Sequence, residues 1–169
     1  MLQMQPVFCE NEALRSNGLK IVTKQFGTIA IEEDKVITMM TDLPGFPGMK
    51  RFIILEHEKT RPFYWFQCID NPDLALTIIN PYLFKPDYSV AFEPILKDMK
   101  WESDGRDNLK IYVVVNASTA FVEKITANLI APILINTSRY EAIQLVIYDS
   151  PYSHKHPIFE NSQKRMDMK

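Results

Sequence analysis

The side chains able to do acid–base, nucleophilic or metal chemistry are few in this chain and widely spread. Three histidines occur, His57, His154 and His156. In His154-Lys155-His156 two imidazoles fall on one side of an extended segment, which can begin a metal site. No carboxylate or cysteine completes a clear ligand set. A solvated or hydrogen-bonded pair is therefore the favoured reading, and a metal enzyme the remote one. Asp70 and Asp73 could pair as acid and base, but they flank Asn71-Pro72 and read better as turn caps that accept from backbone amides. Cys68 lies in an apolar run with no histidine signature beside it, so it reads as a buried small hydrophobe, not a nucleophile. No GxSxG elbow, P-loop or dinucleotide fingerprint occurs, and Gly45 and Gly48 are too sparse to cradle a phosphate. The expectation is a protein that is not an enzyme and carries no cofactor or metal.

Recognition chemistry is better represented. The stretch Asp70–Tyr88 reads DNPDLALTIINPYLFKPDY. Its apolar run, Leu74–Ile79, is closed at both ends by Asn-Pro pairs, Asn71-Pro72 and Asn80-Pro81, and Pro86-Asp87 follows. Proline restricts the residue before it and cannot donate to a ladder, so this run is expected to be one sharply bounded strand. Tyr82, Phe84 and Tyr88 then stand among polar residues and prolines, either folded inward or facing a partner. The same choice applies to Leu43 and Phe46 in Asp42-Leu43-Pro44-Gly45-Phe46-Pro47-Gly48, a tightly bent loop. Core packing is the ordinary fate of such residues and partner contact the alternative. Glu32-Glu33-Asp34 and Glu102, Asp104 and Asp107 are acidic runs that could meet a basic partner, although a solvated turn is commoner.

These residues need a scaffold, and 169 residues suffice for one domain. A domain of this length buries roughly 70% of its unfolded surface and needs no disulfide. Cys9 and Cys68 form no CxxC or Cys/His spacing. The net charge of −2 is a poor footprint for gripping nucleic acid, which takes clustered Lys and Arg. An aromatic-rich barrel could still stack single-stranded RNA on Tyr64, Phe66, Tyr82, Phe84 and Tyr88, and this is the rival function. No run approaches the ~20 apolar residues of a membrane helix. The N-terminus lacks a basic segment followed by an apolar one, so a cytoplasmic protein with reduced thiols is expected.

Short β runs recur along the chain: Leu19–Thr23, Thr28–Ile31, Val36–Met40, Arg51–Leu55, Pro62–Ile69, Leu74–Ile79, Leu109–Val115 and Ala142–Tyr148. The first three are close enough to suggest a meander. The Pro62–Ile69 run is apolar on both faces, which suits a central strand or a face shown to a partner. Phe92, Ile95, Leu96 and Met99 mark one short helix with Pro94 in its first turn. Residues 1–18 read as an N-terminal tail, 19–159 as a single domain and 160–169 as a flexible C-terminal tail. The expected fold is mainly β, a small closed antiparallel barrel or sandwich with one or two short helices.

Five blocks in order give a resemblance. They are Leu43-Pro44-Gly45-Phe46; Asp70-Asn71-Pro72-Asp73-Leu74-Ala75; Asn80-Pro81 with Phe84, Pro86-Asp87-Tyr88; Thr126-Ala127-Asn128-Leu129 with Ala131-Pro132 and Ile135-Asn136; and Tyr152-Ser153 with His156-Pro157. Together they resemble the FliW family of bacterial flagellar assembly factors, over roughly residues 19–159. Arg139-Tyr140-Glu141-Ala142 departs from the more basic run relatives often carry there. The resemblance implies a non-enzymatic protein with two protein partners. One is flagellin, held in the cytoplasm before export. The other is CsrA, the RNA-binding repressor of flagellin translation, which such proteins antagonise. Neither direct nucleic-acid binding, membrane binding nor a small-molecule substrate is implied.

Overall fold

The computed structural model describes residues 5–6, 19–117 and 121–159. Most of the expected N-terminal tail, with Cys9, and all of 160–169 lie outside the described residues. The strands are β1 (Gln5–Pro6), β2 (Leu19–Thr23), β3 (Gly27–Ile31), β4 (Ile37–Met39), β5 (Arg51–Glu56), β6 (Tyr64–Cys68) and β7 (Ala75–Ile79). They continue as β8 (Leu109–Asn116), β9 (Thr126–Ala127), β10 (Ile133–Asn136), β11 (Glu141–Gln144) and β12 (His156–Pro157). One α-helix, α1 (Glu93–Asp98), lies between β7 and β8 and carries Pro94 in its first turn as expected.

Seven strands close into a barrel in the order β4-β5-β6-β7-β8-β10-β11, with β11 returning to β4. Each neighbouring pair in the ring is antiparallel except β4–β11, which is parallel through Glu141 opposite Thr38 and Ala142 opposite Met39. The antiparallel expectation therefore holds for all of the ring but this seam. β9 extends the sheet from β8, β12 pairs with β9, and β1 pairs with β5.

Strand alternation sends every second side chain inward. Ile37, Met39, Phe52, Ile54, Phe66, Cys68, Ile78, Tyr112, Ile133, Ile135 and Ala142 fill the interior, with Leu43 plugging one end. The Phe52 and Phe66 rings stack there, 4.4 Å between centroids. The outward residues are apolar too, and three covers bury them. Hairpin β2–β3 lays Ile21, Ile29 and Ile31 over Ile53, Leu55 and Ile69, with Phe26 edge-on to Trp65. Tyr88 and Leu129 cover Ile79, Ile111, Val113 and Val115. Trp101, with Ile95, Leu96 and Met99 around it, covers Leu134 and Ile143. The doubly apolar run at Pro62–Ile69 is thus a barrel strand whose outer face the first hairpin buries.

Two sequence expectations change. The first three runs are not one meander: β2 and β3 pair with each other, and β4 joins the barrel. The 3-10 turn Glu33–Lys35 redirects the chain between them. The last strand is shorter than Ala142–Tyr148. Beyond Gln144, the Leu145 and Ile147 amides bond to the Pro132 and Ile130 carbonyls, but Pro132 has no amide to return and the ladder ends. Phe66→Ala opens a cavity in the closed interior, so urea denaturation should show a loss of about 3–5 kcal/mol.

Candidate protein-interaction surface

The turn from Asp70 to Leu74 is built from the inside. Gln67 on β6 has no exposed surface, and its side-chain amide nitrogen donates to the carbonyls of Cys68, Pro72 and Leu74 at 2.8–3.0 Å. Asn71 Oδ1 accepts from the Asp73 amide at 3.1 Å, closing an Asx turn. Asp70 reaches across to the start of β5. One carboxylate oxygen accepts from the Lys50 and Arg51 amides, both at 2.8 Å, and the other from Arg51 Nε at 2.7 Å. Partial burial works to raise the Asp70 pKa, but the Arg51 amide, the guanidinium and the Lys50 amide together hold it below the ordinary value. The Asp70 carboxylate is turn architecture, as expected; Asp73 contributes its backbone amide to the turn, while its side chain is exposed. Burial pushes the Cys68 thiol up, outweighing the amides that approach its sulfur, which leaves it a poor nucleophile.

The second Asn-Pro pair works the same way. Asn80 Oδ1 accepts from the Tyr82 amide at 3.0 Å and caps the 3-10 turn Pro81–Leu83. The turn buries Pro81 and presents Tyr82, 41% exposed, and Leu83, 60% exposed. Beyond it the chain dives inward. The Phe84 ring lies 6.0 Å from the His156 ring between centroids, and Lys85 pairs with Asp87 at 2.6 Å. Tyr88 is only 3% exposed; its hydroxyl donates to the Leu129 carbonyl at 2.7 Å, and its ring packs 4.8 Å from Tyr152. Burial raises the Tyr88 pKa far above the ordinary value, with the Tyr152 and Tyr82 hydroxyls adding to it. The Ser89 amide donates to the Tyr152 hydroxyl at 2.9 Å. Three sequence blocks, around Tyr88, Leu129 and Tyr152–Pro157, thus converge over the outside of β8.

The Leu43–Phe46 block sits at a barrel mouth. The Phe46 amide donates to the Leu43 carbonyl at 2.9 Å, and Gly45 takes a φ of 88°, which Pro44-Gly45 supplies at low cost in a type II turn. Leu43 is 2% exposed and belongs to the barrel interior, while Phe46 is half-buried against it. Between this turn, Leu76, Val114 and Val146 lies a cavity of about 260 Å³. Asn128 Oδ1 accepts from the Ile130 amide, and the Asn128 amide donates to the Val114 carbonyl, fixing the path into the buried Pro132.

The acidic candidates divide. Glu32, Glu33 and Asp34 are exposed on the 3-10 turn that leads into β4. Asp104 is committed internally: Arg139 holds its carboxyl below the ordinary value against the effect of burial, and the buried Asn136 side chain donates to it at 2.7 Å. Asn136 also accepts from the amides of Ser138 and Arg139. Glu102 and Asp107 stay exposed. His154 and Pro157 are exposed and His156 half-buried; among the described residues no three His, Cys, Asp or Glu side chains gather as metal ligands.

Of the residues weighed as partner contacts, Tyr82 and Glu32–Asp34 are at the surface, Phe46 and Phe84 are partly so, and Leu43 and Tyr88 are interior. Leu43 is drawn in because it continues the inward series of Ile37 and Met39, and Tyr88 because Leu129 supplies a buried acceptor. Phe66 is buried in the barrel interior and cannot stack a base, and the half-buried Tyr64 packs its ring edge-on against Tyr112. Leu83 escaped the sequence reading; its signal is its place at the tip of a proline-initiated turn.

Fold and surface define a class: a small mixed β-barrel whose punctuating Asn-Pro and Pro-Gly turns hold side chains on its rim. The chain belongs to the FliW family, whose profile, that of the FliW protein, matches residues 20–158. The flagellar assembly factor FliW of Caldanaerobacter subterraneus subsp. tengcongensis is 38% identical over 143 residues, covering 84% of this chain and 94% of that protein. The flagellar assembly factor FliW of Alkaliphilus metalliredigens is 34% identical over 146 residues, covering 86% and 89%. A crystal structure of the flagellar assembly factor FliW superposes with a TM-score of 0.76 at 30% identity, covering 85% of this chain and 99% of that one. No helix among the described residues is long and apolar enough to cross a membrane.

Asp70 links this surface to pH. Its folded-state pKa is depressed, so the stability it contributes is present above its unfolded value and lost as pH falls through the lower folded one. Asp70→Asn should lower stability at neutral pH and flatten the acid limb of a urea-midpoint profile taken from pH 7 to pH 2. An acid limb unchanged from wild type would remove Asp70 from that role.

Proposed function

We propose that this chain is a non-enzymatic flagellar assembly factor, working in the cytoplasm through the domain 19–159, that binds flagellin and antagonises CsrA. Flagellin leaving by export then frees the protein to lift repression of flagellin translation. The observation that carries the reading is the FliW family match across nearly the whole barrel. The circuit needs only coupled binding equilibria: each partner shifts the free pool available to the other.

Surface chemistry supports both partnerships. A repressor that grips RNA is basic, and the exposed Glu32-Glu33-Asp34 turn complements it on a chain of net charge −2. Exported subunits expose apolar helices, and Tyr82 and Leu83 offer an apolar rim that the fold itself leaves open. Of the five residues that could stack RNA, Phe66 and Tyr88 are buried, which leaves too short a platform beside a net charge of −2 to favour that reading.

Calorimetry against purified flagellin and CsrA tests the proposal; failure of both to bind at micromolar concentration, or salt-sensitive binding of RNA by this chain alone, would sink it. Tyr82→Ala with Leu83→Ala should weaken flagellin binding about tenfold or more while leaving the melting temperature unchanged. Tyr88→Ala should instead cost about 3–5 kcal/mol of stability, as a buried aromatic does.

A further inference from the structure

The parallel seam of the barrel is short, and beyond the end of β11 it leaves one side of the backbone open as far as the turn at Tyr148-Asp149. The Thr38 amide bonds to the Tyr140 carbonyl and the Met40 amide to the Ala142 carbonyl, so the even-numbered residues here turn their backbone groups toward β4. The Leu145 and Ile147 amides bond to the Pro132 and Ile130 carbonyls, so the odd-numbered ones turn the other way. After Met40 the β4 chain peels off into the Leu43–Phe46 turn. Among the described residues none bonds the backbone groups of Val146 or Tyr148, and both side chains are well exposed, Tyr148 at 83%. An edge of this kind is a template for another strand.

Two cavities flank this edge, one on each face. On one side a groove of about 590 Å³ runs between residues 143–152 and residues 89–95, floored by Val90, Pro94, Ile95 and Leu145. On the other lies the 260 Å³ cavity at the Leu43–Phe46 turn. Gln144 and Val146 line both. A strand added here would send successive side chains alternately into the two cavities, because side chains of an extended chain alternate at each residue. A helix would fill one cavity and leave the backbone groups of Val146 unpaired. Among the described residues, Asp149 is the one charged residue lining either cavity.

We propose that the edge at Val146–Tyr148 is a β-addition site for an extended, apolar segment of a protein partner that carries a basic side chain opposite Asp149. Main-chain hydrogen bonds supply the register, and the paired cavities supply the preference for alternating apolar residues. The assignment rests on the partner-binding reading above and locates one of its surfaces.

Purified flagellin and CsrA are the probes, each added separately to the full chain. Val146→Pro removes a donor that the isolated fold does not use, and Asp149→Lys reverses the charge in the groove. One partner should bind Val146→Pro about tenfold or more weakly, and Asp149→Lys should bind more weakly at low salt than at high salt relative to wild type. Amide exchange read by NMR gives a signature that folding defects cannot imitate. In the complex the Val146 and Tyr148 amides should slow by about tenfold or more, whereas those of Leu145 and Ile147, bonded within the fold, should already be slow in the free protein. Should Val146→Pro fail to fold, the exchange pattern and Asp149→Lys decide. A complex that forms with the Val146 and Tyr148 amides exchanging at their free rates overturns this site and leaves the proposed function standing. Binding of neither protein to the wild type overturns both. Concentration-dependent protection of Val146 in the isolated protein would assign the edge to a second copy and overturn the heterologous site.

Discussion

Everything in this structure depends on a ring of short strands that is apolar on both faces. A barrel needs only its inward residues to be hydrophobic, and an ordinary small barrel alternates them with polar outward ones. Here Ile53, Leu55, Ile111, Val113, Leu134 and Ile143 point outward and are buried nonetheless. Each buried aliphatic side chain contributes about 1.5–3 kcal/mol through removal from water, so leaving one outer face bare would forfeit much of a domain's margin. The chain must therefore spend its remaining segments as covers: hairpin β2–β3, the Tyr82–Tyr88 loop with the closing segment, and α1 with Trp101.

That constraint explains why the first three of the blocks singled out in the sequence fall largely at turns. Asn71-Pro72 and Asn80-Pro81 fix where β7 starts and stops, and each asparagine side chain accepts from the amide two residues on. Pro44-Gly45 folds Leu43 back into the mouth of the barrel. Asp70 ties the end of β6 to the start of β5, and Asn136 ties the β10–β11 turn to Asp104. The Asp70 carboxylate, which looked like chemistry, is therefore committed to backbone amides and a guanidinium group. What stays exposed is the part of a turn that points away from its cover, such as Tyr82 and Leu83.

How much of this was legible in the sequence follows from distance along the chain. β5, β6 and β8 were readable because β-branched and aromatic residues run between turn formers, and β7 because two Asn-Pro pairs bound it. Burial of Tyr88 was not readable from Asp87 and Ser89 beside it, since what buries it is Leu129 and Tyr152. The β4–β11 pairing joins Thr38 to Glu141, and no local pattern announces so remote a parallel contact. The meander expectation failed for the same reason: adjacency in sequence is a good guide to pairing only until a turn such as Glu33–Lys35 hands the next strand to a different sheet.

The same remote contact sets the barrel's asymmetry. Antiparallel neighbours can be joined by a tight turn, whereas β4 and β11 meet only because the rest of the ring has brought them together. Their ladder holds two residue pairs, against five between β5 and β6. Closure is thus complete at the end where Thr38 meets Glu141 and incomplete toward Val146, where Pro132 also interrupts the inner neighbour. Opening free energies vary across a fold with the density of such bonds, and β4 is held by two-pair ladders on both sides, to β11 and to β5. Ladders of five and four pairs hold β6 to its two neighbours, so the ring is knit most tightly around β6 and least around β4.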